Sequence, residues 1–140
     1  MDTQPPGSMG GTFAGNAVSC AAAVATIDVI KQEKLLENAN VRGKQLKDGL
    51  FKLKEKYDII GDIRGLGLMI GVQFDGKKVK YGTAGIISKE CTKNGMLLLT
   101  TSVFETLRFI PPLVATEEEI AMGLNIFEKS IQNTLSQIKN

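Results

Sequence analysis

The beginning of this sequence constrains its fold most strongly, because a glycine-rich turn runs directly into a long apolar segment. Residues 10–16 read Gly-Gly-Thr-Phe-Ala-Gly-Asn, and the alanine-rich apolar run of residues 17–30 follows at once. A glycine-rich turn with a hydroxyl residue before a helix presents backbone N–H groups and a side-chain donor to an anion such as a phosphate. The pattern is compatible with an anion-binding turn; taken alone, such a turn is more often a plain loop with a helix cap.

Two helices are predicted before the first strand. Asn16 is a suitable N-cap for a helix that ends near Gln32, in which small apolar residues recur at helical spacing. A second, amphipathic helix is predicted over residues 34–56, with leucines at intervals of three to four residues. Because the first helix is apolar around most of its circumference, we expect it to be buried on most sides.

After Tyr57 the period changes to that of β-strands. Strands are predicted over residues 59–64 and 68–74, joined through a hinge in which Gly65 and Gly67 allow positive φ or close packing. A period of two with glycine between the two runs is typical of an antiparallel pair. This pair forms the first half of the predicted sheet.

The rest of the chain completes an α+β pattern. A short helix over residues 83–93 and strands over residues 96–99 and 107–110 are predicted. Thr116 and Glu119 then form a capping box at the start of a last helix. This order predicts a small, largely antiparallel sheet covered by helices.

Composition excludes several classes of protein. Of 140 residues, 43% are apolar and 23% charged, which describes a globular protein with a hydrophobic core. No apolar run is long enough for a membrane span and no secretory signal is present, so we expect an intracellular protein, cytoplasmic or mitochondrial. The net charge of +2 is spread thinly, so nucleic acid is not an expected partner. With no histidine and only Cys20 and Cys91, we expect no metal site and two reduced, buried thiols.

Three segments in this order resemble class III pyridoxal-phosphate-dependent aminotransferases. They are residues 11–16 before the alanine-rich helix, residues 60–69 (Ile-Gly-Asp-Ile-Arg-Gly-Leu-Gly-Leu-Met) and residues 107–113 (Leu-Arg-Phe-Ile-Pro-Pro-Leu) before an acidic helix start. The resemblance runs from Gly10 to about residue 131 and matches the C-terminal third of such enzymes. The residues of these segments are most similar to those of 4-aminobutyrate and acetylornithine or ornithine aminotransferases.

The resemblance implies the C-terminal part of a fold-type I enzyme in three pieces. Residues 1–15 would be an extended segment and phosphate-contacting turn, residues 16–56 junction helices, and residues 57–140 the small α+β C-terminal domain. It also implies pyridoxal 5'-phosphate as cofactor and a homodimer at full length. The implied reaction transfers an amino group from an ω-amino or amino acid, with 4-aminobutyrate as the expected donor, to a 2-oxo acid such as 2-oxoglutarate.

Two binding roles are carried over from the resemblance. Thr12 matches the threonine that contacts the cofactor phosphate across a dimer interface, with backbone N–H groups of Gly11 and Phe13 beside it. Arg108 matches the arginine that binds a substrate carboxylate, for which the planar guanidinium is well suited. On pattern alone, Arg108 is instead a solvent-facing residue of an edge strand.

Other functional groups of the family have no match here. No lysine matches the motif of the Schiff-base lysine, so no catalytic residue is assigned and we expect negligible transaminase activity from this chain alone. Arg64 is interpreted as a brace of the strand junction, with Asp62 as its partner.

Two alternatives remain open. The chain could be a stand-alone α+β module that binds an anion or regulates a partner, or it could serve as a dimerisation surface. A self-contained core favours the module, whereas an uncovered apolar face on the first helix favours the enzyme fragment. A dimerisation surface would be insensitive to pyridoxal phosphate and to changes at Thr12 or Arg108.

Overall fold

A computed structural model describes residues 10–101 and 103–138 of the protein. Within them the elements follow in the order α1 (Ala17–Gln32), α2 (Leu35–Lys56), β1 (Ile60–Leu66), β2 (Met69–Phe74), α3 (Thr83–Lys93), β3 (Leu99–Thr101), β4 (Phe104–Phe109) and α4 (Glu117–Ile138). The chain divides into two compact units, the first ending at Leu35 and the second beginning at Leu36.

The described part of the first unit consists of the glycine-rich turn and α1. The side chain of Asn16 accepts hydrogen bonds from the N–H groups of Val18 (3.1 Å) and Ser19 (3.2 Å), which confirms the predicted N-cap. The expected burial of this helix is wrong, because no residue of α1 is buried. In its own unit the described residues supply no second element for it to pack against, and Val18 is 78% exposed. The uncovered apolar face expected of an enzyme fragment is therefore present.

The second unit contains a four-stranded antiparallel sheet in the order β1-β2-β4-β3. One face of this sheet carries the core, because α2, α3 and α4 contribute buried side chains to the same apolar cluster as the strands. The largest fully buried members of that cluster are Leu50, Ile70, Val72, Phe74, Ile87, Leu107, Phe127 and Ile131. The predicted α+β class, a small antiparallel sheet covered by helices, is confirmed.

The hinge between β1 and β2 depends on glycine, as the sequence predicted. Gly65 has φ of +146° and Gly67 has φ of +53°, in the region that favours glycine. A Cβ atom on Gly65 would lie 2.1 Å from the carbonyl oxygen of Met69. Helix α2 also approaches the hinge closely, because a Cβ atom on Gly43 would lie 2.2 Å from the carbonyl oxygen of Gly67.

The predicted strand at residues 96–99 is misplaced. The N–H group of Met96 donates to the carbonyl of Cys91 (2.9 Å), so Met96 still belongs to the C-terminal turn of α3. The chain joins the sheet only at Leu99, which pairs with Arg108. The strand predicted at 107–110 begins earlier, at Phe104, and ends at Phe109.

Helix α4 begins at the predicted capping box. The N–H group of Thr116 donates to the Glu119 carboxylate (2.8 Å), and the N–H group of Glu119 donates to the Thr116 hydroxyl (3.2 Å). The helix then packs against α3, and its Phe127 ring meets Phe109 edge to face with centroids 5.1 Å apart. None of the described helices is both long enough and apolar enough to cross a membrane.

The two cysteines differ in their exposure to solvent. Cys91 is buried, as predicted, and burial raises the pKa of its thiol. The prediction of a buried thiol is wrong for Cys20, which is exposed because the helix that carries it has no covering element in its own unit.

Candidate functional site

The three residues predicted to contact a cofactor lie together in one exposed turn before α1. The N–H group of Ala14 donates to the carbonyl of Gly11 (2.9 Å), and that of Asn16 donates to the carbonyl of Phe13 (3.1 Å). Within residues 10–101 and 103–138, the N–H groups of Gly11, Thr12 and Phe13 have no hydrogen-bond partner. Successive free N–H groups beside a hydroxyl are a donor set that fits a phosphate.

The unpaired donors lie in the turn, because the end of the helix is already capped. The N–H groups of Val18 and Ser19 are already satisfied by the side chain of Asn16. An incoming phosphate would therefore depend on the Thr12 hydroxyl and the free N–H groups of the turn.

Arg108 lies on β4, in the second unit. This strand is not an edge strand, since β4 lies between β2 and β3, where Arg108 pairs with Gly71 and Leu99. Because side chains alternate along a strand, the buried neighbours Leu107 and Phe109 face the helices while Arg108 is exposed on the opposite face.

The side of the sheet away from the helices is here called the open sheet face. The register places six of its residues together: Asp62, Arg64, Gly71, Gln73, Thr106 and Arg108. Arg64 pairs with Gly71, and Gly71 pairs with Arg108, so the two arginines lie in one cross-strand row with glycine between them. Neither arginine is buried.

Arg64 is fixed by two hydrogen bonds. Its Nη1 donates to a carboxylate oxygen of Asp62 (2.8 Å), which confirms the predicted partner, and to the side-chain oxygen of Gln73 (2.7 Å). The hydrogen bond from Arg64 lowers the pKa of the Asp62 carboxyl below its ordinary value. Arg64 therefore has a defined position on the open sheet face.

Arg108 contrasts with Arg64 in its surroundings. In the part of the chain that the structure describes, Arg108 has no hydrogen-bond or ion-pair partner. The neighbouring Thr106 is only 3% exposed, and its hydroxyl has no hydrogen-bond partner either. An exposed guanidinium with no partner among these residues is suited to bind a carboxylate.

Sequence reasoning missed Gln73 and Thr106. Alternation along β2 and β4 places each on the polar face of its own strand. Their adjacency depends on the pairing of Gln73 with Thr106, which sequence alone does not give.

A groove of about 410 Å³ lies on the face of the sheet that the helices cover, opposite the open sheet face. It is lined mainly by apolar side chains, among them Met96, Phe109, Pro111 and Ile120. Since Phe109 and Arg108 point to opposite faces, this groove is separate from the open sheet face. No group of three or more potential metal-ligating side chains occurs among the described residues.

Comparison with known proteins gives the family. The sequence profile of the family described as Aminotransferase class-III matches residues 1–131, nearly the whole chain. The chain belongs to the class III aminotransferases. This confirms the family that the three sequence segments resemble, and class III aminotransferases depend on pyridoxal phosphate, as the resemblance implied.

Several members of the family are similar to this chain over most of its length. The 4-aminobutyrate aminotransferase GabT of Escherichia coli is 40% identical over 134 residues, which cover 92% of this chain and 32% of that protein. The acetylornithine aminotransferase of Clostridium acetobutylicum is 43% identical, with 91% of this chain and 31% of that protein covered.

A solved structure shows the same fold. The ornithine aminotransferase from Toxoplasma gondii, described with partial occupancy of PLP at its active site, has a TM-score of 0.83 and 35% identity. The match covers 100% of this chain and 32% of the ornithine aminotransferase chain. The chain thus spans about a third of the length of the relatives it matches.

Proposed function

We propose that this chain forms part of an enzyme that moves an amino group from an ω-amino or amino acid to a 2-oxo acid such as 2-oxoglutarate. The preferred donor in this proposal is 4-aminobutyrate, supported by the 40% identity to a 4-aminobutyrate aminotransferase. Relatives named for acetylornithine and 5-aminovalerate support the wider class of ω-amino donors. Pyridoxal phosphate, when bound, supplies the electron sink for this chemistry.

The observation that carries the proposal is the free guanidinium of Arg108. It is exposed on an inner strand that is fixed on both sides by neighbouring strands, so its backbone position is rigid. Arginine presents paired N–H groups that match the two oxygens of a carboxylate, which fixes the orientation of a ligand as well as its charge. We assign Arg108 the role of binding the substrate carboxylate.

The turn before α1 provides the second part of the proposal. Thr12 would donate its hydroxyl to the cofactor phosphate, and the N–H groups of Gly11 and Phe13 would add two further donors. Each hydrogen bond to a charged group contributes about 1.5–3 kcal/mol. These residues hold the phosphate and take no part in proton transfer, and we propose that the chain alone does not catalyse transamination.

Replacing Arg108 by glutamine is expected to weaken 4-aminobutyrate binding to this chain by about tenfold or more, because the charge and the paired donors are lost together. Arg108→Lys keeps the charge without the fork and should give an intermediate affinity. The affinity is measured by NMR titration, following the side-chain N–H signals of the arginines. The control is Lys129→Gln on α4, which removes one exposed charge elsewhere. Equal affinities in Arg108→Gln and the control would contradict the assignment.

Replacing Thr12 by alanine is expected to weaken the binding of inorganic phosphate and of pyridoxal phosphate by about tenfold, the loss of one charge-assisted hydrogen bond. Binding is followed from the amide signals of Gly11 and Phe13 during titration. Thr92→Ala, an exposed threonine on α3, is the matched control. An unchanged affinity in Thr12→Ala, with ligand shifts elsewhere in the chain, would remove Thr12 from the site.

Titrations with 4-aminobutyrate and phosphate also distinguish the enzyme part from an anion-binding module and from a dimerisation surface. A stand-alone anion-binding module would bind phosphate through the turn and ignore 4-aminobutyrate. A dimerisation surface would bind neither ligand, and its self-association would be unchanged by either substitution.

A further inference from the structure

Helix α3 has no local cap at its beginning. Its N-cap residue is Gly82, which has a φ of +94° and no side chain that could accept a hydrogen bond, and the first turn of α3 contains no acidic residue. Helix α4 differs, since it begins with a capping box and has three glutamates in its first turn. The first N–H groups of a helix have no partners within the helix, so the start of α3 needs an acceptor from elsewhere in the chain.

Glu105 of β4 supplies this acceptor. One oxygen of its carboxylate accepts the N–H group of Gly82 and the other accepts the N–H group of Ala84, each at 2.7 Å. Because Ala84 is only 2% exposed, an N–H group left without a partner there would be costly. A carboxylate also interacts favourably with the positive end of the helix dipole. Glu105 therefore caps α3 from a position 21 residues beyond Ala84 in the sequence.

The end of α3 also accounts for the charge of Glu105. The carboxylate lies on the side of β4 that the helices cover, because it contacts α3 there. Among the described residues, no lysine or arginine forms an ion pair with Glu105. The carboxylate is thus engaged by two backbone N–H groups and not by a side-chain cation.

This contact is made where the pairing of β4 with its neighbouring strands is interrupted. Residues 100–101 of β3 are consecutive, but their partners on β4 are Leu107 and Phe104. Two residues of β4, Glu105 and Thr106, are therefore extra at this point, and such an irregularity redirects side chains. Pairing with β2 ends at Thr106. Among the described residues, Glu105 therefore has no strand partner on either side, and its side chain connects this part of β4 to α3.

We propose that Glu105 is a positioning residue that fixes the register of the strand bearing Arg108, an inference that rests on the proposed function of Arg108. Arg108 lies three residues beyond Glu105 on β4. A shift of β4 by one residue would turn Arg108 from the open sheet face toward the core. By holding the beginning of β4 on α3, the Glu105 carboxylate keeps the guanidinium on the open sheet face. Glu105 itself does not contact the substrate.

The test replaces Glu105 in the whole 140-residue chain and follows amide hydrogen exchange by NMR. Glu105→Ala removes both hydrogen bonds, so exchange of the Gly82 and Ala84 amides should accelerate about tenfold or more. The amides of β4 should also exchange faster, because the strand loses its contact with α3. Glu105→Gln keeps one acceptor oxygen and should have a smaller effect. Glu55→Ala and Glu55→Gln, changes at an exposed carboxylate on α2, are the controls for a lost negative charge.

The affinity for 4-aminobutyrate separates positioning from general stability. Glu105→Ala is expected to weaken this affinity about threefold, although it removes no group that binds the ligand. Glu105→Gln should recover part of the loss. Thr134→Ala is the stability control, because it removes a buried hydroxyl that donates to the Ser130 carbonyl (2.8 Å) within α4. This control should lower the free energy of unfolding and leave the affinity for 4-aminobutyrate unchanged.

The two measurements distinguish failure of this inference from failure of the proposed function. Unchanged exchange at the start of α3 in Glu105→Ala would show that Glu105 is not the cap. Faster exchange in α3 alone, or an equal loss of affinity in Thr134→Ala, would overturn the positioning role. If Arg108→Gln leaves 4-aminobutyrate binding unchanged, the role of Arg108 is wrong, and exchange in β4 then decides whether Glu105 fixes this strand. If Glu105→Ala does not fold, Glu105→Gln is compared with Glu55→Gln by the same criteria.

Discussion

Gly65→Ala is expected to destabilise the second unit by on the order of 3 kcal/mol, a large fraction of the stability of a small protein. Two causes act together at this hinge. The φ of +146° is costly for any residue with a side chain. The new Cβ atom would also lie 2.1 Å from the carbonyl oxygen of Met69 and 2.8 Å from the Cα atom of Ile70. Both are backbone atoms, which cannot move without shifting β2.

The matched control is Gly85→Ala in helix α3. A Cβ atom there meets nothing within 4 Å, and alanine favours a helix over glycine by about 1 kcal/mol, so this variant should be as stable as the parent or slightly more stable. Both variants are compared by urea unfolding monitored by circular dichroism. Equal midpoints for the two alanine variants would show that the hinge relaxes without cost.

The hinge also links stability to the open sheet face. Gly65 follows Arg64 directly, and the register of β1 against β2 aligns Arg64 with Gly71. A shift of one residue would move Arg64 to the opposite face. The pairing at the hinge therefore holds Arg64 in the same cross-strand row as Arg108.

Local patterns in the sequence were sufficient to predict most elements of the fold. Asn16 before α1, and Thr116 with Glu119 before α4, cap their helices through contacts within three residues. Because such contacts join residues that are close in the sequence, the sequence alone predicts them. The start of β3 was missed because Met96 is held by the end of α3, an interaction that hydrophobicity does not report.

The candidate site likewise has residues that the sequence indicates and residues that only the strand pairing reveals. Thr12 and its neighbours form one local turn, and the resemblance to a family was enough to nominate both Thr12 and Arg108. These assignments remain predictions, as does the division at residues 15 and 56. Gln73 could not be found, since it meets Arg64 only when β1 pairs with β2, and Thr106 becomes the neighbour of Gln73 only when β2 pairs with β4. Burial of α1 was predicted wrongly because an apolar composition does not identify the surface that covers a helix.

Phe127→Ala is expected to cost about 3–5 kcal/mol, the usual range for removing a fully buried aromatic side chain. Phe127 is 0% exposed and lies edge to face with Phe109, with ring centroids 5.1 Å apart. Such aromatic pairs contribute about 0.5–1.5 kcal/mol beyond burial. Because Phe109 follows Arg108 on β4, the cavity would form directly beneath the strand that positions the proposed carboxylate site.

Phe104→Ala is the matched control, since Phe104 is on the same strand as Phe109 but is 65% exposed. Its loss should change the free energy of unfolding by less than about 1 kcal/mol. Phe127→Leu, which refills much of the cavity, should recover part of the stability lost in Phe127→Ala. If Phe127→Ala and Phe104→Ala unfold at the same urea concentration, packing of α4 does not support β4. The position of Arg108 would then depend on the strand pairing with β2 and β3 alone.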